Sequence, residues 1–147
     1  MKKIILITLI FMLTACSAGG SEFSRNQQKW TDAHITHYRF VLSIGCFCAF
    51  RSQMPLVVEV LNGNVVSMIG ADGVVITSEN SFYDTFAKYA TIDRLFAELK
   101  ADLSAADEVT VTYDSTYGFP TEINIDFIKN AADDELYLSA SGFEKLL

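Results

Sequence analysis

Leu56-Val57-Val58-Glu59-Val60-Leu61, then Asn62-Gly63, then Asn64-Val65-Val66-Ser67-Met68-Ile69 is the stretch that decides the fold. Two β-rich runs flank an Asn-Gly pair. A two-residue hairpin turn of type I′ needs positive φ at both central positions, and Asn and Gly are the residues that tolerate it. The stretch therefore predicts two antiparallel strands in one fixed register.

Upstream, Tyr38, Phe40, Leu42 and Ile44 alternate with Arg39, Val41 and Ser43, the period of a strand with one buried face. Together with the hairpin it makes a three-stranded meander. Further upstream, Ser24 is placed to cap a helix from Arg25 to about His34 that turns Trp30 and Ala33 to the core. Downstream, Gly70 to Tyr89 reads as a loop carrying a short helix, its Phe82, Tyr83, Phe86 and Tyr89 tucked against the sheet. Thr91 then caps a helix with Ile92, Leu95, Phe96, Leu99 and Leu103 on one face.

A second meander follows. Val109, Val111 and Tyr113 alternate with Thr110, Thr112 and Asp114; Ile123, Ile125 and Phe127 alternate with Asn124 and Asp126. Ser115 to Pro120 turns between them, and Asp133-Asp134 marks another turn before a last strand over Tyr137 to Ser141. Helix, three strands, helix, three strands is an α+β pattern. It predicts an antiparallel sheet of five to six strands, in two meanders, packed on one face by two helices.

The first sixteen residues supply an address. Lys2 and Lys3 precede an apolar run from Ile4 to Leu13, broken only by Thr8, and Leu13-Thr14-Ala15-Cys16 follows. The run is too short for a permanent span, which takes ~20 residues, and has the build of a secretory signal. Leu-Thr-Ala-Cys resembles the lipobox of bacterial lipoproteins, which implies that Cys16 is lipidated and begins the mature chain. The expected organisation is a signal peptide over 1–15, a lipidated Cys and flexible tether over 16–24, and one α+β domain over 25–147. Stable anchoring takes more than one acyl chain, as lipoprotein processing provides. Ser17 follows the cysteine where an inner-membrane retention signal would have Asp. The resemblance thus implies an outer-membrane anchor facing the periplasm in a Gram-negative host, and otherwise the outer face of the plasma membrane.

About 130 residues remain after the signal, enough for one domain with its own core. Loss of Lys2 and Lys3 leaves nine Lys and Arg against eighteen Asp and Glu, a formal charge of −9. Such an acidic chain without a basic stripe does not neutralise phosphates, so nucleic acid is not an expected partner.

Candidate chemistry centres on Cys46 and Cys48 in Gly45-Cys46-Phe47-Cys48, at the end of the first strand. Outside the cytoplasm two thiols this close tend to oxidise. In a regular strand they would stand roughly 6.6 Å apart, and a bend at Gly45 brings them within disulfide reach. A structural disulfide is the first reading; thiol exchange or a soft metal site is the second. His34 and His37 lack a carboxylate or thiol beside them in sequence, a thin basis for a metal site. Asp114, Asp126, Asp133, Asp134 and Glu135 could gather at one end of the second meander, but their spacing matches no calcium loop. No Gly-x-Ser-x-Gly, His-Glu-x-x-His or phosphate-cradling loop occurs, so no catalytic residue, metal or cofactor is assigned. Tyr117 and Phe119, in the turn ending at Pro120, either stand exposed as a partner contact or fold back over the sheet edge.

Several short segments, in this order, resemble a family of small bacterial secreted proteins and lipoproteins, domain-of-unknown-function family 6174. They are Trp30, Tyr38-Arg39-Phe40, Cys46-Phe47-Cys48, the run around Asn62-Gly63, Thr91-Ile92-Asp93-Arg94-Leu95-Phe96, Tyr113-Asp114 with Gly118-Phe119-Pro120, and Ile125-Asp126 with Asp134-Glu135. The resemblance implies a compact extracytoplasmic domain and carries no activity. The expected function is a lipid-anchored, non-catalytic module that binds an envelope protein or peptide. The alternatives are a thiol-redox or metal-binding protein using Cys46 and Cys48, and a small-ligand carrier with a pocket lined by the aromatics of Phe82 to Tyr89.

Overall fold

The computed structural model describes residues 18–147. Helix α1 (Ala18–Asp32) leads into strand β1 (His37–Gly45), then β2 (Leu56–Leu61) and β3 (Asn64–Ile69). The short α2 (Tyr83–Ala87) and the longer α3 (Ile92–Ala105) follow, then β4 (Glu108–Tyr113), β5 (Pro120–Asp126) and β6 (Glu135–Lys145). All strand pairs are antiparallel, in the order β3-β2-β1-β6-β5-β4. The two expected meanders are present, and the long last strand joins them by pairing with β1.

The hairpin follows its turn chemistry. Asn62 and Gly63 take φ of 51° and 75°, and Leu61 pairs with Asn64 across the turn. Every second residue of β1 and β2 is buried: Tyr38, Phe40, Leu42 and Ile44, and Leu56, Val58 and Val60. They share one face with Ile123, Ile125, Leu138 and Ala140, and the helices cover that face. Helix α3 buries Ile92, Leu95, Phe96 and Leu99.

Polar contacts fix how the helices sit. The Thr91 hydroxyl accepts from the Arg94 N–H at 3.1 Å, and the Tyr38 hydroxyl accepts from the buried Ile92 N–H at 3.0 Å. Two of the N–H groups that a helix start leaves without internal partners are thereby satisfied. Burial pushes the Tyr38 hydroxyl pKa up, so it stays a neutral phenol. The Trp30 indole of α1 donates to Asp93 of α3 at 3.1 Å while its ring meets Tyr38 edge-on at 5.4 Å.

Three expectations need correction. Residues 18–24 do not form a tether: α1 starts at Ala18, Ser24 lies inside it, and Phe23 is buried edge-on against Phe96 at 5.7 Å. The Phe23 contact makes this early turn part of the domain. Cys16 and Ser17, like the expected signal over 1–15, lie outside the described residues. The last strand continues past Ser141 to Lys145, because a bulge at Gly142 (φ 56°) resets the alternation. Phe143 therefore turns inward onto Tyr38 and Phe119, at 5.5 and 4.7 Å. Finally, Phe119 is no exposed contact: it is 3% exposed and packed against Trp30 and Phe143. Tyr117 is half-buried on the Phe143 ring at 5.6 Å. Gly118 (φ 79°) backs this turn onto α1 so closely that a Cβ would sit 2.6 Å from the Asn26 carbonyl.

The aromatics of the loop before α3 also fill space. Phe50, Phe82 and Phe86 pack ring against ring at 5.0–6.2 Å, with Phe86 fully buried.

These contacts set two stability expectations. Phe119→Ala should cost about 3–5 kcal/mol, the usual range for emptying a buried aromatic site. Tyr38→Phe should cost about 1–3 kcal/mol, because it strands the buried Ile92 N–H. Urea unfolding of the isolated domain measures both.

Candidate functional site

With the helices on one side, no helix among the described residues covers the other face of the sheet. Alternation puts Arg39, Val41 and Ser43 of β1, Val57 and Glu59 of β2, Tyr137 and Ser139 of β6, Glu122 and Asn124 of β5, and Thr110 and Thr112 of β4 on it. Ion pairs stitch one end of this face: Arg39 to Glu144 at 2.6 Å and His37 Nε2 to Glu59 at 2.9 Å. His37 Nδ1 also meets the Leu147 oxygen at 3.2 Å. The Glu59 hydrogen bond raises the His37 pKa, against a smaller opposing effect of desolvation. A raised histidine value means that the imidazolium's stabilisation is fully present below the ordinary value and lost as pH rises through the folded one. The melting temperature should therefore fall across that rise by more in the native protein than in His37→Gln, by calorimetry at a series of pH values.

The opposite end holds a groove of about 460 Å³. Its floor is Gly45, Thr110, Asn124 and Tyr137. One wall is the loop that leaves β1, with Cys46, Phe47 and Arg51. The other wall carries the carboxylates of Glu108, Asp126, Asp133 and Glu135. Crowding is evident at Asp126, whose pKa is raised by desolvation and by the neighbouring Asp134, Glu135, Glu108 and Asp107. The site thus joins an acidic wall to an aromatic one, with the single cation Arg51 among its lining residues.

The chain leaves β1 in a bend, and Cys46 and Cys48 come to 5.1 Å between Cα atoms with their sulfurs at disulfide distance. Closing residues i and i+2 on one side pushes the middle side chain to the other. Phe47 is accordingly 88% exposed, although it is a large apolar residue.

The residues singled out in the sequence separate here. Cys46 stands in the groove wall, and Cys48 lines a second, smaller hollow with Cys46, Phe47, Ala49 and Arg51. Tyr117 and Phe119 lie in the turn beyond the other end of β4, folded onto α1 and β6. Asp114 does not join the acidic wall. It sits at that far end, accepting from the Thr116 and Tyr117 N–H groups. Asp134 flanks the wall but serves the loop, accepting from the Ile128 N–H at 2.6 Å. Among the described residues no three His, Cys, Asp or Glu side chains converge as metal ligands. No helix among them is long and apolar enough to cross a membrane.

Sequence reasoning missed Phe47, Arg51, Glu108 and Tyr137. For Phe47 the signal was present, since a closed Cys-x-Cys leaves its middle residue only one way to point. The others come together through the β1–β6 pairing, which no local pattern announces.

Comparison with known proteins places this geometry in a family. The family model described as "Family of unknown function (DUF6174)" matches residues 22–145, and the chain belongs to that family. No curated protein and no solved structure matches the chain. The family span opens one residue before Phe23, which agrees with the early start of the folded domain.

In domain exported without Cys16, denatured and alkylated before reduction, Cys46 and Cys48 should stay unlabelled, with a mass about 2 Da below the reduced form. Replacing both with Ser should cost only about 1–2 kcal/mol, because so short a loop contributes little chain entropy.

Proposed function

We propose that the chain is a lipid-anchored, non-catalytic binding module of the cell envelope, and that the open sheet face holds its protein or peptide partner. The observation that carries this reading is the groove between the Cys46–Cys48 loop and the acidic wall, with Phe47 standing at its rim. An apolar side chain this exposed costs solvation unless another surface covers it, and aromatics are enriched in interface centres. The lipobox-like Leu13 to Cys16 supports the anchor, and with it a location at the membrane surface.

A second reading is thiol exchange, favoured by the position of Cys46 in the groove wall. A substrate thiolate would attack one sulfur of the disulfide and release the other as a thiolate. A second substrate thiol would then attack the substrate sulfur of that mixed disulfide and expel the protein cysteine as a thiolate, leaving the substrate oxidised to a disulfide and Cys46 and Cys48 reduced.

Two experiments divide these readings. Cys16→Ser should move the protein from the detergent phase to the aqueous phase and abolish the lipid mass; an unchanged partition would sink the anchor. A photoreactive phenylalanine analogue in place of Phe47 should crosslink one envelope protein, whereas the same analogue at the exposed Val74 should not. Crosslinking that survives Cys46→Ser with Cys48→Ser favours binding. Loss of a dithiol-oxidising activity in that double variant favours exchange.

A further inference from the structure

The two edges of the sheet are treated differently by the chain. Outside β3, the segment after Ile69 folds back: the Gly70 N–H reaches the Val74 carbonyl at 2.9 Å and the Ile76 N–H reaches the Met68 carbonyl at 2.8 Å. An Ile69–Val75 bridge completes this cover. Strand β4 has a ladder with β5 on one side, and among the described residues no main-chain hydrogen bond reaches it from the other. Natural sheets blunt such edges with very short strands, charged side chains (lysine above all), proline, a bulge or a covering segment, and of these β4 has only the charge of Glu108 at its start. Glu108-Val109-Thr110-Val111-Thr112 contains neither lysine nor proline, and its register with Asp126 to Glu122 is unbroken. The first bulge comes only after Thr112.

An open edge offers a partner strand main-chain pairing, and the side chains on its two faces select the sequence. On the helix side the edge presents the half-buried Val109 and Val111. On the open side it presents Glu108, Thr110 and Thr112, with Glu122 and Asp126 on the next strand and the acidic groove wall beside them. A second copy of the chain would bring two such acidic faces together, so charge disfavours self-pairing. We infer that the free edge of β4 takes an extended segment of a basic partner as a seventh strand, with apolar residues toward Val109 and Val111 and Lys or Arg toward Glu108, Glu122 and Asp126. The inference rests on the binding-module reading and names the class of partner. Desolvation and, after it, the neighbouring carboxylates raise the Asp126 pKa, and the repulsion among those carboxylates is what such a cation would relieve.

Three capped six-residue peptides test it against the folded domain: alternating lysine and valine, alternating glutamate and valine, and the lysine peptide with N-methylated valines. The lysine peptide should bind by titration calorimetry and slow amide exchange over Glu108 to Tyr113. The glutamate and N-methylated peptides should bind at least about tenfold more weakly, since each lacks either the charge or the pairing. Thr110→Lys with Thr112→Lys, both at exposed positions, should weaken the lysine peptide about tenfold without lowering the melting temperature. Equal binding of the N-methylated peptide, exchange protection elsewhere, or a concentration-dependent dimer abolished by the two lysines would overturn the inference. If the peptides fail while the Phe47 crosslink stands, the strand-addition inference falls and the binding module survives. If both fail, the binding reading falls with it.

Discussion

The Tyr38 hydroxyl, accepting the Ile92 N–H, is the contact on which the arrangement of the domain depends. It ties the central strand to the first residue of the main helix at a buried point where an unmet N–H would be costly. Trp30 closes the same junction from the other side, its ring on Tyr38 and its indole N–H on Asp93. One aromatic cluster thereby sets α1, α3 and β1 relative to each other. Phe143 and Phe119 extend it to the last strand and to the turn between β4 and β5. Both long helices among the described residues are committed to this face, and none of the described helices covers the other.

The exposed face follows from that commitment, and its chemistry is uneven. At the β1–β2 end, His37, Glu59, Arg39 and Glu144 neutralise one another in pairs. At the other end four carboxylates share a groove with one arginine. The exposed aromatic, the uneven charge and the bare edge lie side by side, so one partner could engage all three.

Most of the architecture was legible because local patterns and tertiary packing agree. The Asn62-Gly63 turn, the alternation of Tyr38 to Ile44 and the apolar stripe of Ile92 to Leu99 all point inward as their periods require. The failures occurred where a single residue resets a pattern. Gly142 adds a bulge that turns Phe143 onto the core, and a strand read by strict alternation ends too early. Phe23 was misplaced and Phe119 left undecided because each stands apart from any periodic run, and only long-range aromatic contacts bury them. The groove was only half legible: the Cys-Phe-Cys motif marks one wall, but the other is brought beside it by the joining of the two meanders through β6.

The central claim is that the open face and the β4 edge are occupied in the envelope and bare in the isolated domain. The most direct test is hydrogen–deuterium exchange of the full-length protein in the cell fraction of its host that holds it, compared with the purified isolated domain. The account predicts added protection confined to the Cys46–Cys48 loop and to Glu108–Tyr113, with the α1 and α3 amides unchanged. Identical exchange in both states, or added protection on the helical side alone, would contradict it.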